Sequence, residues 1–208
     1  KQAHRVQNYL NYLITQRMTE YRTETEKLLF SLPIAGSAFR KVYFDPSMGR
    51  PCAMFVPAED FVASYGATDM MACPRYTHVM KKTPNEILEL QVNGFYRDVE
   101  LPSAEPDYSD IQEKYDELDG ESTVMSDDDR HTILEMHVNL NMPEEFDDPD
   151  GIARPYVITI DKSSRTILSI RANWEEDDNK KKKIQHFTHY RYLPGLGFYG
   201  TGLIHLIG

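Results

Sequence analysis

The sequence is poor in the residues on which disulfide frameworks, zinc sites and DNA-coating surfaces depend. Cys52 and Cys73 are its only cysteines, and no second cysteine or histidine pair accompanies them to complete a zinc pattern. We therefore expect two reduced, partly buried thiols. Lysine and arginine number 23 against 33 aspartates and glutamates, which gives a net charge of −10. This balance disfavours a general DNA-coating role, because neutralising phosphates takes clustered basic residues.

Long apolar runs are missing as well. None approaches the roughly 18 consecutive apolar residues that suggest a membrane-spanning helix, and no secretory signal peptide is recognisable. The chain has 208 residues, of which 40% are hydrophobic and 11% aromatic. These values predict a folded protein of one domain or two small ones with a sizeable core.

No catalytic or metal-binding pattern stands out. No serine lies in a G-x-S-x-G elbow, and His186 and His189 fall on opposite faces of a predicted strand. His131, Glu135 and His137 share a strand face, but the two histidines are about 20 Å apart along an extended strand. They are too distant to share a metal, and at most one of them can pair with Glu135. The sequence therefore predicts no catalytic residue, no cofactor-binding residue and no metal ligand.

Hydrophobic periodicity predicts an α+β fold, in which a long N-terminal helix packs on mainly antiparallel hairpins. Residues 4–30 place apolar side chains on one helical face without a glycine or proline, and predict a continuous helix of about 27 residues, or about 40 Å. Pro33 and Gly36 are expected to end it. The predicted strands span residues 37–44, 52–56, 74–82, 131–140, 155–160, 165–172 and 184–193.

A second, shorter helix is marked by its N-terminal residues. Thr83 is a suitable N-cap, Pro84 occupies the first helical position, and Glu86 completes a capping box. Gly94 is the expected stop at the other end.

The most acidic part of the chain, residues 105–129, contains eleven carboxylates and a single basic residue, Lys114. A metal site is the less favoured interpretation, because EF-hand spacing is absent and adjacent aspartates rarely converge on one ion. A solvated, flexible insertion is favoured. The chain is therefore divided into residues 1–102 (long helix, hairpin and capped helix), an acidic insertion at 103–130, and a β-rich part at 131–208.

One concentrated basic site is present, the four lysines at residues 180–183. Such a run can meet phosphates, but the four acids at residues 175–178 lie just before it. We interpret the stretch as a self-neutralised loop.

The last part of the chain contains the pattern G-x-G-x-x-G at Gly195, Gly197 and Gly200. The glycines could cradle a pyrophosphate or form a rigid connection. A dinucleotide site needs a helix after the glycines and an acid about 20 residues further on, and the sequence ends at Gly208. We favour the connection, and expect the apolar run at 203–207 to continue into a longer element.

Three blocks of sequence, taken in order, resemble the N-terminal half of tailed-bacteriophage portal proteins, particularly the podovirus-like group. The similarity spans most of the chain apart from the acidic insertion. The blocks are LPIAGSAFRKVY at 32–43, which leads into Asp45, Gly49-Arg50-Pro51 and VPAEDF at 56–61; PYVITIDKSSRTILSIRANW at 155–174; and YLPGLGFYGTG at 192–202.

The resemblance implies a structural virion protein that is not an enzyme and needs no cofactor. Portal proteins form rings, typically of twelve subunits, at one capsid vertex, and DNA is packaged and ejected through the ring. The present residues would match the wing region, and the channel-lining stem would follow Gly208.

The implied partners are other subunits, capsid and scaffolding proteins, and DNA that passes without sequence specificity. The terminase motor and head-completion proteins would bind regions beyond this fragment, and no membrane is involved. The implied location is the virion, assembled in the bacterial cytoplasm.

Two alternatives belong to other classes. One is a head–tail connector or another virion structural protein, which would also lack catalytic motifs. The less favoured one is a nucleotide-binding enzyme domain that uses Gly195, Gly197 and Gly200.

Overall fold

The protein has an α+β fold, as the sequence predicts, built from helices and two mainly antiparallel sheets. The computed structural model describes residues 2–45, 48–104, 130–143, 151–195 and 197–207, so the acidic stretch at 105–129 lies outside the described residues. The helices are α1 (Gln2–Tyr12), α2 (Tyr21–Ala35), α3 (Pro84–Val92) and α4 (Ile204–Ile207). The strands are β1 (Ser37–Asp45), β2 (Arg50–Pro57), β3 (Phe61–Ala63), β4 (Arg75–Lys82), β5 (His131–Leu140), β6 (Arg154–Asp161), β7 (Ile167–Ala172) and β8 (Phe187–Arg191).

The N-terminal helical region is interrupted, so the prediction of one continuous helix over residues 4–30 is wrong. After α1 the chain widens into a π-helical turn, Leu13–Arg17, and Met18 leaves the helix with φ −93° and ψ 73°. The Met18 amide donates to the Leu13 carbonyl at 2.8 Å, and its side chain is buried, at 7% exposure. The helix is thus interrupted at Met18, whose apolar side chain is buried there. Helix α2 begins three residues later.

The C-terminal end of α2 lies at Gly36, as predicted, whereas Pro33 lies inside the helix and does not end it. Gly36 has φ +79° and its amide donates to the Leu32 carbonyl at 2.9 Å. This left-handed cap is the conformation that glycine adopts at least cost.

The described residues belong to two compact units. The first consists of residues 1–76 and 173–208, and the second of residues 77–172. The boundaries of these two units differ from those of the three consecutive segments predicted from the sequence, 1–102, 103–130 and 131–208.

The first unit contains a three-stranded sheet in the order β2-β1-β8, in which β1 pairs antiparallel with both neighbours. The predicted hairpin of β1 and β2 is confirmed. Helix α2 is held on it by polar contacts, since Arg40 donates to the Thr25 hydroxyl at 2.7 Å and Glu24 accepts from the Phe55 amide at 2.7 Å. The core beside the sheet consists of Phe39, Val56, Phe61, Met70, Cys73, Tyr76, Phe187 and Phe198.

The second unit contains α3 and the strands in the order β4-β5-β6-β7, with β4 entering it at Thr77. Both β5–β6 and β6–β7 are antiparallel, and a register shift lies between Thr159 and Ile160. The capping box of Thr83 and Glu86 is present at the start of α3, as predicted. The core of the second unit consists of Ile87, Tyr96, Ile133 and Leu168.

Candidate functional site

The glycine-rich segment after β8 crosses the end of α2 with backbone directly against backbone. The amide of Tyr192 donates to the Gly36 carbonyl at 3.0 Å, and the amide of Leu203 donates to the Pro33 carbonyl at 2.7 Å. A Cβ atom at Gly200 would overlap the carbonyl oxygen of Gly36, and one at Gly202 would lie 2.7 Å from the Gly36 nitrogen. The glycines permit a close approach that any side chain would prevent.

Two amides at the end of the glycine motif already have partners within the protein. Gly200 donates to the Ser37 hydroxyl at 2.7 Å and Thr201 to the Leu193 carbonyl at 2.9 Å. This geometry favours the rigid connection over the pyrophosphate cradle.

A stack of aromatic rings lies beside the crossing and includes a histidine. The His189 ring packs against both Phe39 and Phe198, with ring centroids 4.4 Å and 4.8 Å away, and those two phenylalanine rings lie 6.0 Å from each other. Its Nε2 is 3.1 Å from the Ser37 hydroxyl. Because that hydroxyl accepts from the Gly200 amide, it can donate its own proton to a neutral imidazole.

Burial and the nearby Arg191 guanidinium lower the pKa of His189 to about 4. The ring is therefore neutral at physiological pH, where a general acid or base needs a pKa near 7. His189 is a half-buried residue held by ring stacking and a hydrogen bond.

An open cavity of about 320 Å³ lies between β8 and the loop before β4. Arg191 and Asp69 bring opposite charges to it, and the Asp69 carboxylate accepts from the amides of Met71 and Ala72 at 2.8 Å each. Those hydrogen bonds lower the pKa of Asp69, so the carboxylate is ionised. It is already hydrogen-bonded to backbone amides of its own loop. The cavity is lined by Asp69, Met70, Met71, Gln185, Phe187, Thr188, His189 and Arg191.

The histidines of β5 form two separate pairs. His131 Nδ1 lies 3.2 Å from Asp161, and His137 Nε2 lies 3.1 Å from Glu135. Both histidines are buried, and the prediction that at most one pairs with Glu135 is confirmed. Within the described ranges, no group of three or more His, Cys, Asp or Glu side chains is arranged to hold a metal ion.

Asp161 stabilises the turn between β6 and β7. One carboxylate oxygen accepts from the hydroxyls of Ser163 at 2.9 Å and Ser164 at 2.6 Å, and the other faces His131. Burial favours a higher pKa for Asp161, but the hydrogen bonds from Ser164, Ser163 and His131 lower it on balance. The carboxylate serves as a turn anchor.

Both cysteines are free and buried, as predicted. Burial raises the pKa of the Cys52 thiol, which makes the reactive thiolate scarce. The Cys73 thiol donates to the Arg75 carbonyl at 3.1 Å.

The basic run at 180–183 makes contacts with other residues of the first unit. Asp178 accepts from the amides of Lys180 and Lys182 at 3.0 Å and 2.9 Å. Lys183 lies over the Tyr76 ring at 4.3 Å from its centroid. The hydrogen bonds to Asp178 come from backbone amides, so charge neutralisation within this loop stays a prediction.

Exposed apolar side chains are concentrated on the helices of the first unit. Phe30 on α2 is 76% exposed and Ile207 on α4 is 83% exposed, and α1 buries no residue at all. Such surfaces mark sites of protein association when they are contiguous. The sequence predicts the apolar face of the N-terminal helical region and the apolar run at 203–207, but an amphipathic pattern does not show what covers such a face.

Compared with known proteins, the sequence matches no protein-family model and no curated protein. Among the described residues, no helix combines the length and the apolar character needed to cross a membrane.

Proposed function

We propose that the protein is a structural virion protein and forms a subunit of the portal ring through which phage DNA is packaged and ejected. The observation that supports the proposal is that the first and the third of the portal-like sequence blocks meet in space. Gly36, in the block at 32–43, packs backbone to backbone on Gly200 and Gly202, in the block at 192–202.

A side-chain contact joins the same blocks a second time. The Tyr199 hydroxyl donates to the carbonyl of Phe61 at 2.6 Å, and Phe61 ends the VPAEDF sequence. Two blocks that are distant along the chain thus form one arrangement, which supports reading the first and third blocks as a single structural signature.

Two physical properties support an assembled structural role. The exposed apolar helices supply surfaces that a subunit buries against its neighbours. The net charge of −10 suits a channel that guides DNA without retaining it, because like charges oppose tight contact with phosphates.

The partners follow from the proposed ring. They are further copies of this chain, typically twelve in all, capsid and scaffolding proteins, and DNA that passes without sequence specificity. The terminase motor and head-completion proteins would bind regions beyond this fragment. The ring would assemble in the bacterial cytoplasm and remain in the virion.

The decisive experiment is the native mass of the protein in its full natural length, combined with electron microscopy of the same sample. A closed ring of about twelve subunits is expected, and a monomer or dimer at high concentration would refute the proposal.

A packaging assay separates a portal from a head–tail connector. Procapsids assembled with and without the protein are mixed with motor, ATP and DNA, and nuclease-protected DNA is measured. Protection should require the protein, whereas a connector that joins after packaging would be dispensable. A rise in melting temperature with one member of a nucleotide panel would instead favour the enzyme-domain alternative.

A further inference from the structure

Strand β8 forms one edge of the three-stranded sheet, because β1 is its only neighbour among the described strands. The amide of Tyr192 donates to the carbonyl of Gly36, on the side of β1. Along an antiparallel strand such groups alternate in direction. The amides and carbonyls of His189 and Arg191 therefore point away from β1, and no described residue forms a hydrogen bond with them.

The opposite edge of the same sheet, β2, is covered by a side chain of the protein itself. The amide of Phe55 donates to the carboxylate of Glu24, on α2, at 2.7 Å. That carboxylate takes the place of the carbonyl that a further strand would supply. An unpaired edge is a template for another strand, and proteins protect most of theirs. Of the two edges, that of β8 is the open one among the described residues.

The open cavity between β8 and the loop before β4 lies along this edge. Four residues of β8 line one side of it, and Met70 and Met71 line the other. Its volume of about 320 Å³ falls within the range of ligand pockets, roughly 300–1,000 Å³. Met71 is 82% exposed, and methionine adapts its shape to different apolar partners. An extended chain beside β8 can therefore place alternate side chains in the cavity while its backbone pairs with the strand.

The charges at the cavity favour a carboxylate in the bound segment. Arg191 is exposed, and its guanidinium has no hydrogen bond or ion pair with any described residue. The Asp69 carboxylate already accepts from the amides of Met71 and Ala72 and from the Thr68 hydroxyl. The hydrogen bond from Ala72 contributes most to the lowered pKa of Asp69, and Arg191 contributes least. The guanidinium therefore keeps its donors for a carboxylate, which it can bind through two parallel hydrogen bonds.

We propose that the edge of β8 binds an extended acidic peptide segment of a partner protein, which adds a fourth strand to the sheet and pairs a carboxylate with Arg191. Main-chain hydrogen bonds to His189 and Arg191 supply the affinity, and the cavity and the guanidinium supply the selectivity. The inference goes beyond the proposed ring, since the site lies within one subunit and needs no second copy of the chain.

Hydrogen exchange at single-residue resolution, on the full natural chain, tests whether the edge is open. In the free protein the amides of Thr188 and Tyr190 should exchange slowly, because they face β1. Those of His189 and Arg191 should exchange much faster. Slow exchange at all four positions would show that another part of the chain or a neighbouring copy already covers the edge, and would overturn the inference.

Binding is then tested with a capped hexapeptide of alternating valine and threonine that carries one central glutamate. At about ten times its dissociation constant, it should slow exchange at His189 and Arg191 by about tenfold. The same peptide with N-methylated amides at the positions that face β8 cannot complete the pairing and should give no protection. The inference fails if the N-methylated peptide protects equally, or if the glutamate peptide gives no protection at its highest soluble concentration.

Two matched variants test the carboxylate pairing. Arg191→Gln should weaken binding of the glutamate peptide by about two- to fivefold, without weakening a peptide that carries lysine instead. Arg75→Gln removes an equally exposed arginine of the same unit that lies outside the cavity lining, and should change neither affinity. Equal affinity of the wild type and Arg191→Gln for the glutamate peptide would refute the pairing.

The native mass of the same sample keeps this inference separate from the proposed function. A twelve-subunit ring whose β8 edge ignores every peptide would refute the peptide site alone. A monomer that binds the glutamate peptide as described would refute the ring alone.

Discussion

The glycines of the crossing give the sharpest test of the fold, through Gly200→Ala. The added methyl group would overlap the Gly36 carbonyl oxygen and lie 2.8 Å from the Leu193 carbonyl oxygen. Both obstacles are backbone atoms, so relief requires the crossing to move away from the end of α2. That movement also breaks the hydrogen bond from the Gly200 amide to Ser37.

The expected loss of stability follows from these two contributions. Overpacking a close contact costs about 1–3 kcal/mol, and losing one internal hydrogen bond costs about 1 kcal/mol. The free energy of unfolding should therefore fall by about 2–4 kcal/mol. For a chain of this size each kcal/mol corresponds to about 2–4 °C, so the melting temperature should fall by about 5–15 °C.

The matched control lies in the same motif. Gly197 has no atom within 4 Å of its Cβ position, so Gly197→Ala should leave the melting temperature nearly unchanged. Differential scanning calorimetry without ligand measures the melting temperatures of the wild type, Gly200→Ala and Gly197→Ala. If the two variants melt together, the close-approach role of Gly200 is refuted.

Three further predictions concern named interactions in both units. Asp161→Asn should cost about 1–3 kcal/mol, because the single amide oxygen of asparagine cannot accept from both the turn serines and His131. Since the folded pKa of Asp161 is lowered, urea midpoints of variant and wild type should converge as the pH falls below about 4. The pKa of His189, lowered to about 4 by burial and Arg191, means that the unfolded state takes up the proton first. Stability should therefore fall from about pH 6.5 to 4, and His189→Phe should flatten this slope while the wild-type ring shows no NMR titration above pH 6. Thr83→Ala should cost about 1 kcal/mol, seen as faster amide exchange in α3 with unchanged exchange in β1.

Local patterns predicted the elements whose partners are close in sequence. The capping residues of α3 act within one helical turn, and the turn residues between β6 and β7 join adjacent strands. Their physical causes lie inside short windows, so the sequence is sufficient to find them.

Other features depend on contacts that no local pattern records. Ser37 and His189 are 152 residues apart, so neither the pairing of β1 with β8 nor the lowered pKa of His189 is readable from its own neighbourhood. Met18 continues the apolar helical pattern, and its burial at a break results from tertiary packing that overrides propensity. The glycine pattern favours a connection, but the sequence does not show which element it crosses, and the structure identifies that element as the end of α2.

The interleaving of the two units has a consequence for how the chain folds as it is made. Strand β1 lies between β2 and β8, so the first unit cannot complete its sheet until residues 173–208 have left the ribosome. The second unit comes from one uninterrupted stretch and can fold earlier. Translation therefore leaves one edge of β1 exposed while the roughly 130 residues from Pro57 to Phe187 are added. At roughly 5–20 residues per second this takes about 6–26 s, during which a chaperone or a neighbouring nascent chain can reach that edge.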